Sequence, residues 1–218
     1  MITHLEQTKI SELLSSMNLC SGVGTAESAC SIAAINLALS GRLTDEIPEC
    51  MSEVIGDWII RIQDSMPDSV RNSTEWKTLL PLAAGTGRNH EAERIAVILN
   101  WLWVDVLPTI QPIADQYSFG KEWRAMCVDK TADAAAAARA AADAAADAAD
   151  AADADAAAAR AAAYAAAYAA ADAAAYAAAY AYAAADAAYA AAYAAARADF
   201  WKQVNPSQLL QRLINCHD

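Results

Sequence analysis

Helix breakers and chemistry-bearing side chains are both scarce in this chain. The 218 residues include seven glycines and six prolines, and between Lys121 and Val204 there is neither. A breaker-free run of that length excludes a succession of tight turns and favours helix. Histidine occurs three times, at His4, His90 and His217, and none has a partner at metal-ligand spacing. There is no H-E-x-x-H, C-x-x-C, G-x-S-x-G, Walker loop or dinucleotide fingerprint, so no familiar catalytic chemistry is signalled. The expectation is a protein that is not an enzyme, with no catalytic residue, no metal site and no cofactor.

Positive charge is also short. Lys+Arg number 15 against 27 Asp+Glu, a net charge of -12. Nucleic acid and anionic membranes select a basic footprint, so neither direct nucleic-acid binding nor membrane binding is expected. The N-terminus lacks a basic region followed by an apolar run, so no signal peptide is read. The longest uncharged part of the alanine tract, Ala173 to Ala185, falls short of the about 20 residues that span a bilayer. The five cysteines (Cys20, Cys30, Cys50, Cys127 and Cys216) are odd in number and widely spaced, which reads as reduced thiols in the cytoplasm. No useful β-alternation appears. The chain reads as all-α, an N-terminal helical bundle followed by a long Ala-rich helix or an Ala-rich helical array.

What is present falls into three stretches. Residues 1–130 are a helical globular body, holding five of the six tryptophans and all seven glycines. Residues 131–199 are an Ala-rich segment: 49 of its 69 residues are alanine, the others nine Asp, seven Tyr, three Arg and Thr131. Residues 200–218 return to mixed sequence, where Leu209, Leu210, Leu213 and Ile214 predict a C-terminal helix docking on the body.

Periodicity and punctuation divide the body. Leu5, Ile10, Leu13, Leu14 and Met17 predict a first amphipathic helix. Cys20 to Thr25 is a loop, with Thr25 the expected N-cap of a helix from Ala26 to Ser40, stopped by Gly41. Val54, Ile55, Trp58, Ile59 and Ile62 give the next helix, ended by Pro67. Trp76, Leu79 and Leu80 start another, broken at Gly85-Thr86-Gly87. Glu91 to Leu107 is the strongest core pattern, and Pro108 and Pro112 suit first-turn positions of a short helix after it. Phe119-Gly120 is the last breaker.

Alanine loses no side-chain entropy on ordering and has the highest helix propensity, so the 131–199 tract should be helical. On a wheel of about 100° per residue, fourteen of its 19 Asp, Tyr and Arg residues fall within one arc of roughly 140°. That stripe is Asp-rich before Ala161 and Tyr-rich after it; the other faces are methyl groups. Tyrosine is a frequent interface anchor. The candidate partner-binding residues are therefore Asp143, Asp147, Asp150, Tyr164, Tyr168, Asp172, Tyr182, Asp186, Tyr189 and Tyr193. Two G-x-G loops, with Gly22 and Gly24 and with Gly85, Gly87 and Arg88, are candidate anion-binding loops, because free N–H groups there could face an anion. Asp45, Glu46, Glu49 and Glu53 form an acidic cluster, read as a solvated loop.

Leu19 to Thr25, Ser31 to Leu39, Ser52 to Ile60 and Pro81 to Arg88 resemble segments of uncharacterised alanine-rich proteins of bacteria and their phages, which also continue into Ala/Asp/Tyr tracts. That resemblance implies no activity. The tract Ala161 to Ala196 is similar to the A-A-Y-A-A-A repeats of alanine-rich bacterial immunity proteins, which implies a protein that binds and neutralises another protein. In alanine content alone the tract resembles fish antifreeze helices, but the Thr ladder of those helices is replaced by Tyr. The sequence thus predicts an acidic helical interaction protein of inhibitor, immunity or phage counter-defence type. Its expected partner is a protein with a basic and apolar patch. A self-associating phage scaffold, and so a homo-oligomer, is the alternative; an ice-binding protein or an enzyme comes after that.

Overall fold

The computed structural model describes residues 2–116, 118–148 and 200–216. Its fold is all-α. The helices are α1 (His4–Ser16), α2 (Ser31–Ser40), α3 (Glu53–Ser65), α4 (Asp68–Arg71), α5 (Thr74–Ala83) and α6 (Glu91–Trp101). A π-turn (Leu102–Val106) and a 3-10 turn (Leu107–Ile110) lead into α7 (Gln111–Gln116), followed by α8 (Gly120–Asp129) and α9 (Ala132–Ala148). Beyond the undescribed stretch come α10 (Phe200–Val204) and α11 (Pro206–Ile214). Among the described residues, strand is confined to β1 (Asn18–Leu19) and β2 (Ser28–Ala29), a parallel pair with Leu19 opposite Ala29.

The chain divides into two compact units, Met1–Val97 with Pro206–Asp218, and Ile98–Asn205. These boundaries do not follow the composition change at residue 130. The first falls inside α6, and α11 belongs with the N-terminal residues.

In the first unit α1 packs on α2 and α5, α2 on α3, and α11 on α5. Ile32, Ile35, Ile55, Trp58, Ile59, Ile62, Trp76 and Leu80 are fully buried. The Trp58 and Trp76 rings meet at 5.9 Å and 53°, and Trp76 Nε1 donates to Ser31 Oγ at 3.1 Å, so the ring's one polar atom is satisfied in the core. The expected C-terminal docking is present: Leu209, Leu210, Leu213 and Ile214 are all buried. The α1 pattern needs correction, since Ile10, Leu14 and Met17 are buried but Leu5 is 65% exposed. Thr3 caps that helix in a reciprocal capping box with Glu6, whose carboxyl is held below its usual range by the Thr3 N–H and hydroxyl.

The start of α2 also differs from expectation. Residues 28–29 are drawn into the ladder with β1, and the helix begins at Ser31, capped by Cys30 Sγ accepting from the Ala33 N–H at 3.3 Å. Thr25 instead caps a turn of its own, accepting from the N–H groups of Glu27 and Ser28. Asn72 acts as a third strand for β1, accepting from the Leu19 N–H at 2.7 Å and donating to the Leu19 carbonyl at 2.9 Å. After Gly41, whose φ of 70° closes α2, the segment from Arg42 to Cys50 carries no regular structure. Asn36 Nδ2 holds it by donating to the Thr44 and Glu46 carbonyls at 2.8 and 2.7 Å.

In the second unit the expected helix to Leu107 leaves α geometry at Leu102, tightening into 3-10 before Pro108. A proline lacks the N–H that an α ladder needs, which accounts for a change of register upstream of it. The run Glu91–Gln116 is long and apolar enough to cross a membrane by length and composition. Within the unit Trp101 Nε1 donates to the Val204 carbonyl at 2.7 Å and Trp123 Nε1 to the Leu107 carbonyl at 3.0 Å. Both indoles are buried, as are Phe119, Phe200 and Trp201. Gly120 starts α8 rather than ending a helix. A Cβ there would fall 1.9 Å from Asp115 Oδ1 and 2.9 Å from Asp115 Cα, so the approach of α7 to α8 requires glycine.

Candidate functional site

The tightest polar arrangement in the first unit is centred on Arg94. Arg94 lies four residues before Ile98 on the apolar face of α6 and is 1% exposed. Its Nε donates to the Leu213 carbonyl at 3.2 Å, and the two terminal nitrogens reach the carbonyls of Thr86, Gly87 and Asn89. It also pairs with Glu91 at 3.5 Å. Glu91 in turn caps α3, accepting from Ser52 Oγ at 2.6 Å and from the Glu53 N–H at 2.9 Å. Every contact is to a group of the same unit, so the cluster joins α3, the 86–90 loop, α6 and α11. A guanidinium whose donors are taken up by main-chain carbonyls is placed to hold structure.

The Gly85–Gly87 loop precedes α6 as expected, whereas the Gly22–Gly24 loop leads into β2 and not directly into a helix, and the N–H groups of Gly22, Gly85 and Gly87 have internal acceptors. Gly22 N–H donates to Asp64 at 3.1 Å, Gly85 N–H to the Leu82 carbonyl at 3.0 Å and Gly87 N–H to the Cys50 carbonyl at 2.8 Å. Arg88 pairs with Glu53 at 3.6 Å across the surface. Gly24 forms a bridge with Ala29. An anion would have to displace these partners, and a carboxylate already lies against Gly22. Asp45, Glu46 and Glu49 are exposed in the irregular segment before α3, in keeping with a solvated loop, but Glu53 is the exposed first residue of α3.

Of the ten stripe residues, Asp143 and Asp147 lie on the α9 backbone; Asp150, Tyr164, Tyr168, Asp172, Tyr182, Asp186, Tyr189 and Tyr193 lie outside the described residues. The described start of the tract shows how its methyl face is used. Thr131 Oγ1 caps α9 by accepting from the Ala134 N–H at 3.2 Å. The helix then runs along α8 and buries Ala135, Ala138 and Ala142, an i, i+3, i+7 set. Asp133, Ala136, Ala137, Ala140 and Ala144 remain exposed. Small residues let the two helices come close, and their meeting leaves an open groove of about 390 Å³. Lys121, Glu122, Asp129, Thr131 and Asp133 rim the groove, with Ala125, Ala134 and Ala137 between them. On the far side of the tract α10 is held by Phe200, Trp201 and Val204, all buried in the second unit.

Among the described residues no three His, Cys, Asp or Glu side chains come together as a metal site. All five cysteines are free thiols. Burial pushes the thiols of Cys30, Cys50 and Cys216 up, and that of Cys127 up to about 11. Those four thiols thus keep their protons at neutral pH, unlike the ready-made thiolate of an activated catalytic cysteine.

Sequence reasoning missed Arg94, although its spacing of four from Ile98 and seven from Trp101 was a usable signal. It also missed Glu91 as the cap of a helix 38 residues earlier, for which no local pattern exists. Comparison with protein-family models, with curated proteins and with solved structures finds no match to this chain.

Proposed function

We propose that this protein is a non-enzymatic interaction protein that docks a protein partner bearing a basic and apolar patch, through the Asp/Tyr stripe of the 131–199 tract. The observation that carries the reading is the division of labour on α9: its methyl face is taken up inside the second unit through Ala135, Ala138 and Ala142, while Asp133 stays exposed. A tract whose alanines serve internal packing leaves its acids and phenols for another molecule. With a net charge of -12, attraction of a basic partner would speed encounter and exclude competing anionic ligands. An inhibitor or immunity role of this kind needs no catalytic centre.

The test is affinity capture from the native host with three proteins: wild type, a deletion of residues 161–196, and Tyr164, Tyr168, Tyr189 and Tyr193 all changed to Ala. A partner retained by wild type and lost from both variants, with circular dichroism of the tyrosine variant unchanged, supports the reading. Capture that survives both changes, or a tyrosine variant that unfolds, refutes it. A sedimentation series on wild type distinguishes self-association, which would appear as a mass that climbs with concentration.

A further inference from the structure

Two of the five cysteines each stand one residue past the end of a strand of the β1–β2 pair. Leu19 pairs with Ala29 in parallel register, so Cys20 and Cys30 are the next residues on the two chains. The Cys20 N–H donates to the Ala29 carbonyl at 3.1 Å, which keeps the chains together at this point. Parallel neighbours lie about 4.8 Å apart, within the roughly 4.4–6.8 Å between Cα atoms that a disulfide bridges. Opposite residues of a parallel pair also share a face. Leu19 and Ala29 both point into the core and are 0% exposed, so the cysteines share the other face. Cys20 Sγ reaches over β2 to the Ser28 carbonyl at 3.4 Å, and Cys30 Sγ caps α2.

We propose that Cys20 and Cys30 form an oxidative modification site, in which a peroxide converts the two thiols to a disulfide that fastens the 20–30 loop to the first turn of α2. Cys20 is half-buried and Cys30 is 2% exposed, so oxidation enters at Cys20. The Cys20 thiolate attacks one peroxide oxygen, the O–O bond breaks, and sulfenic acid and hydroxide result. Cys30 sulfur then attacks the Cys20 sulfur, the S–O bond breaks, and the oxygen leaves as water with the Cys30 proton. In sum, two thiols lose two electrons and two protons, and one peroxide becomes two waters.

No Lys or Arg lies between Lys9 and Arg42, so one tryptic peptide, Ile10–Arg42, carries both cysteines and no other. The folded full chain is exposed to hydrogen peroxide at low excess, denatured, alkylated and digested. The expected result is an unalkylated Ile10–Arg42 peptide, lighter than the dithiol form by two hydrogens and doubly alkylated once a reductant is added. The oxidised protein should melt several degrees higher, since closing the loop restricts the unfolded chain. Cys20→Ser and, separately, Cys30→Ser should each leave this peptide singly alkylatable or over-oxidised at one sulfur. The proposal is overturned if the wild-type peptide stays doubly alkylated or gains oxygen without cross-linking. It is equally overturned if the cross-link forms as fast in guanidinium-unfolded chain, because the folded register would then contribute nothing.

Discussion

Replacing Arg94 by methionine keeps the apolar stem and removes the guanidinium, which isolates what its charge and donors do. Four carbonyl oxygens, those of Leu213, Thr86, Gly87 and Asn89, lose a donor, and Glu91 loses its cationic neighbour. Glu91 still accepts from Ser52 and Glu53, and the 86–89 loop is reachable by water, so the full penalty for each orphan does not apply. The Leu213 carbonyl is the costly one, because its bond to Nε is buried. An unsatisfied buried acceptor costs about 1–3 kcal/mol, and breaking a buried charged pair about 3–5. The expected loss is thus about 3–5 kcal/mol, or a Tm lower by on the order of 10 °C for a chain of this size. Urea unfolding followed by circular dichroism gives the energy, and hydrogen exchange locates it: amides of α11 should exchange faster before the rest of the unit. Arg94→Lys should recover part of the loss, since an ammonium cannot reproduce the planar fork. Arg124→Met serves as the control. Its pair with Asp115 is exposed, with side chains 64% and 51% accessible, and should be worth less than about 1 kcal/mol. If Arg94→Met matches that control, or leaves α11 protection unchanged, the reasoning fails.

Asp57 offers a pH test. Burial raises its carboxyl above the ordinary value, Arg61 opposes and Glu53 adds to the rise. The folded state therefore keeps a proton that the unfolded state has released, and Asp57's share of stability is lost as pH climbs through the folded value. Asp57→Asn should melt higher than wild type at neutral pH and lose that advantage below the carboxylate range; an advantage that grows in acid contradicts this. Cys127, with its thiol pushed up to about 11, should resist iodoacetamide in native protein at mildly alkaline pH and label faster as pH approaches that value. Prompt labelling at neutral pH would mean that burial does not control it. Gly120→Ala drives a methyl into Asp115 and should cost about 1–3 kcal/mol in urea unfolding, whereas a neutral result would show that α7 and α8 can part freely. Replacing residues 149–199 with a Gly/Ser linker should leave cooperative unfolding of the remaining chain intact, because α9 and α10 each have their own buried anchors. Loss of folding would show that the tract holds the second unit together.

Helical elements were legible where one face repeats at 3.6 residues over three turns. Val54, Ile55, Trp58, Ile59 and Ile62 placed α3, and Leu209, Leu210, Leu213 and Ile214 placed α11, because apolar stripes admit few other partners than the core. Legibility failed where a distant polar group decides the local geometry. Thr25 has a good cap side chain, but the pairing of Ser28 and Ala29 with β1 moves the start of α2 to Ser31, and the Asn72 amide that pairs with Leu19 lies 53 residues away. Leu5 fits the α1 stripe by spacing and yet stands exposed at the first turn of the helix. The π-turn after Trp101 lies ahead of Pro108, seven residues on, within an unbroken apolar pattern, so a helix pattern reads straight through it. Of the candidate site, the glycine loops were located correctly by their breakers, but their internal acceptors, Asp64 and the Cys50 carbonyl, come from remote segments that no spacing rule links to them.

The membership of α11 in the first unit has a consequence for biosynthesis. The ribosome delivers the helices of Met1–Val97 first, but the carbonyl that Arg94 requires belongs to Leu213, which emerges only after all of Ile98–Asn205 has been translated. A nascent chain can therefore complete its inserted portion before its opening portion. Until then the surface of α5 that α11 will cover stays bare, an attachment point for chaperones during that interval.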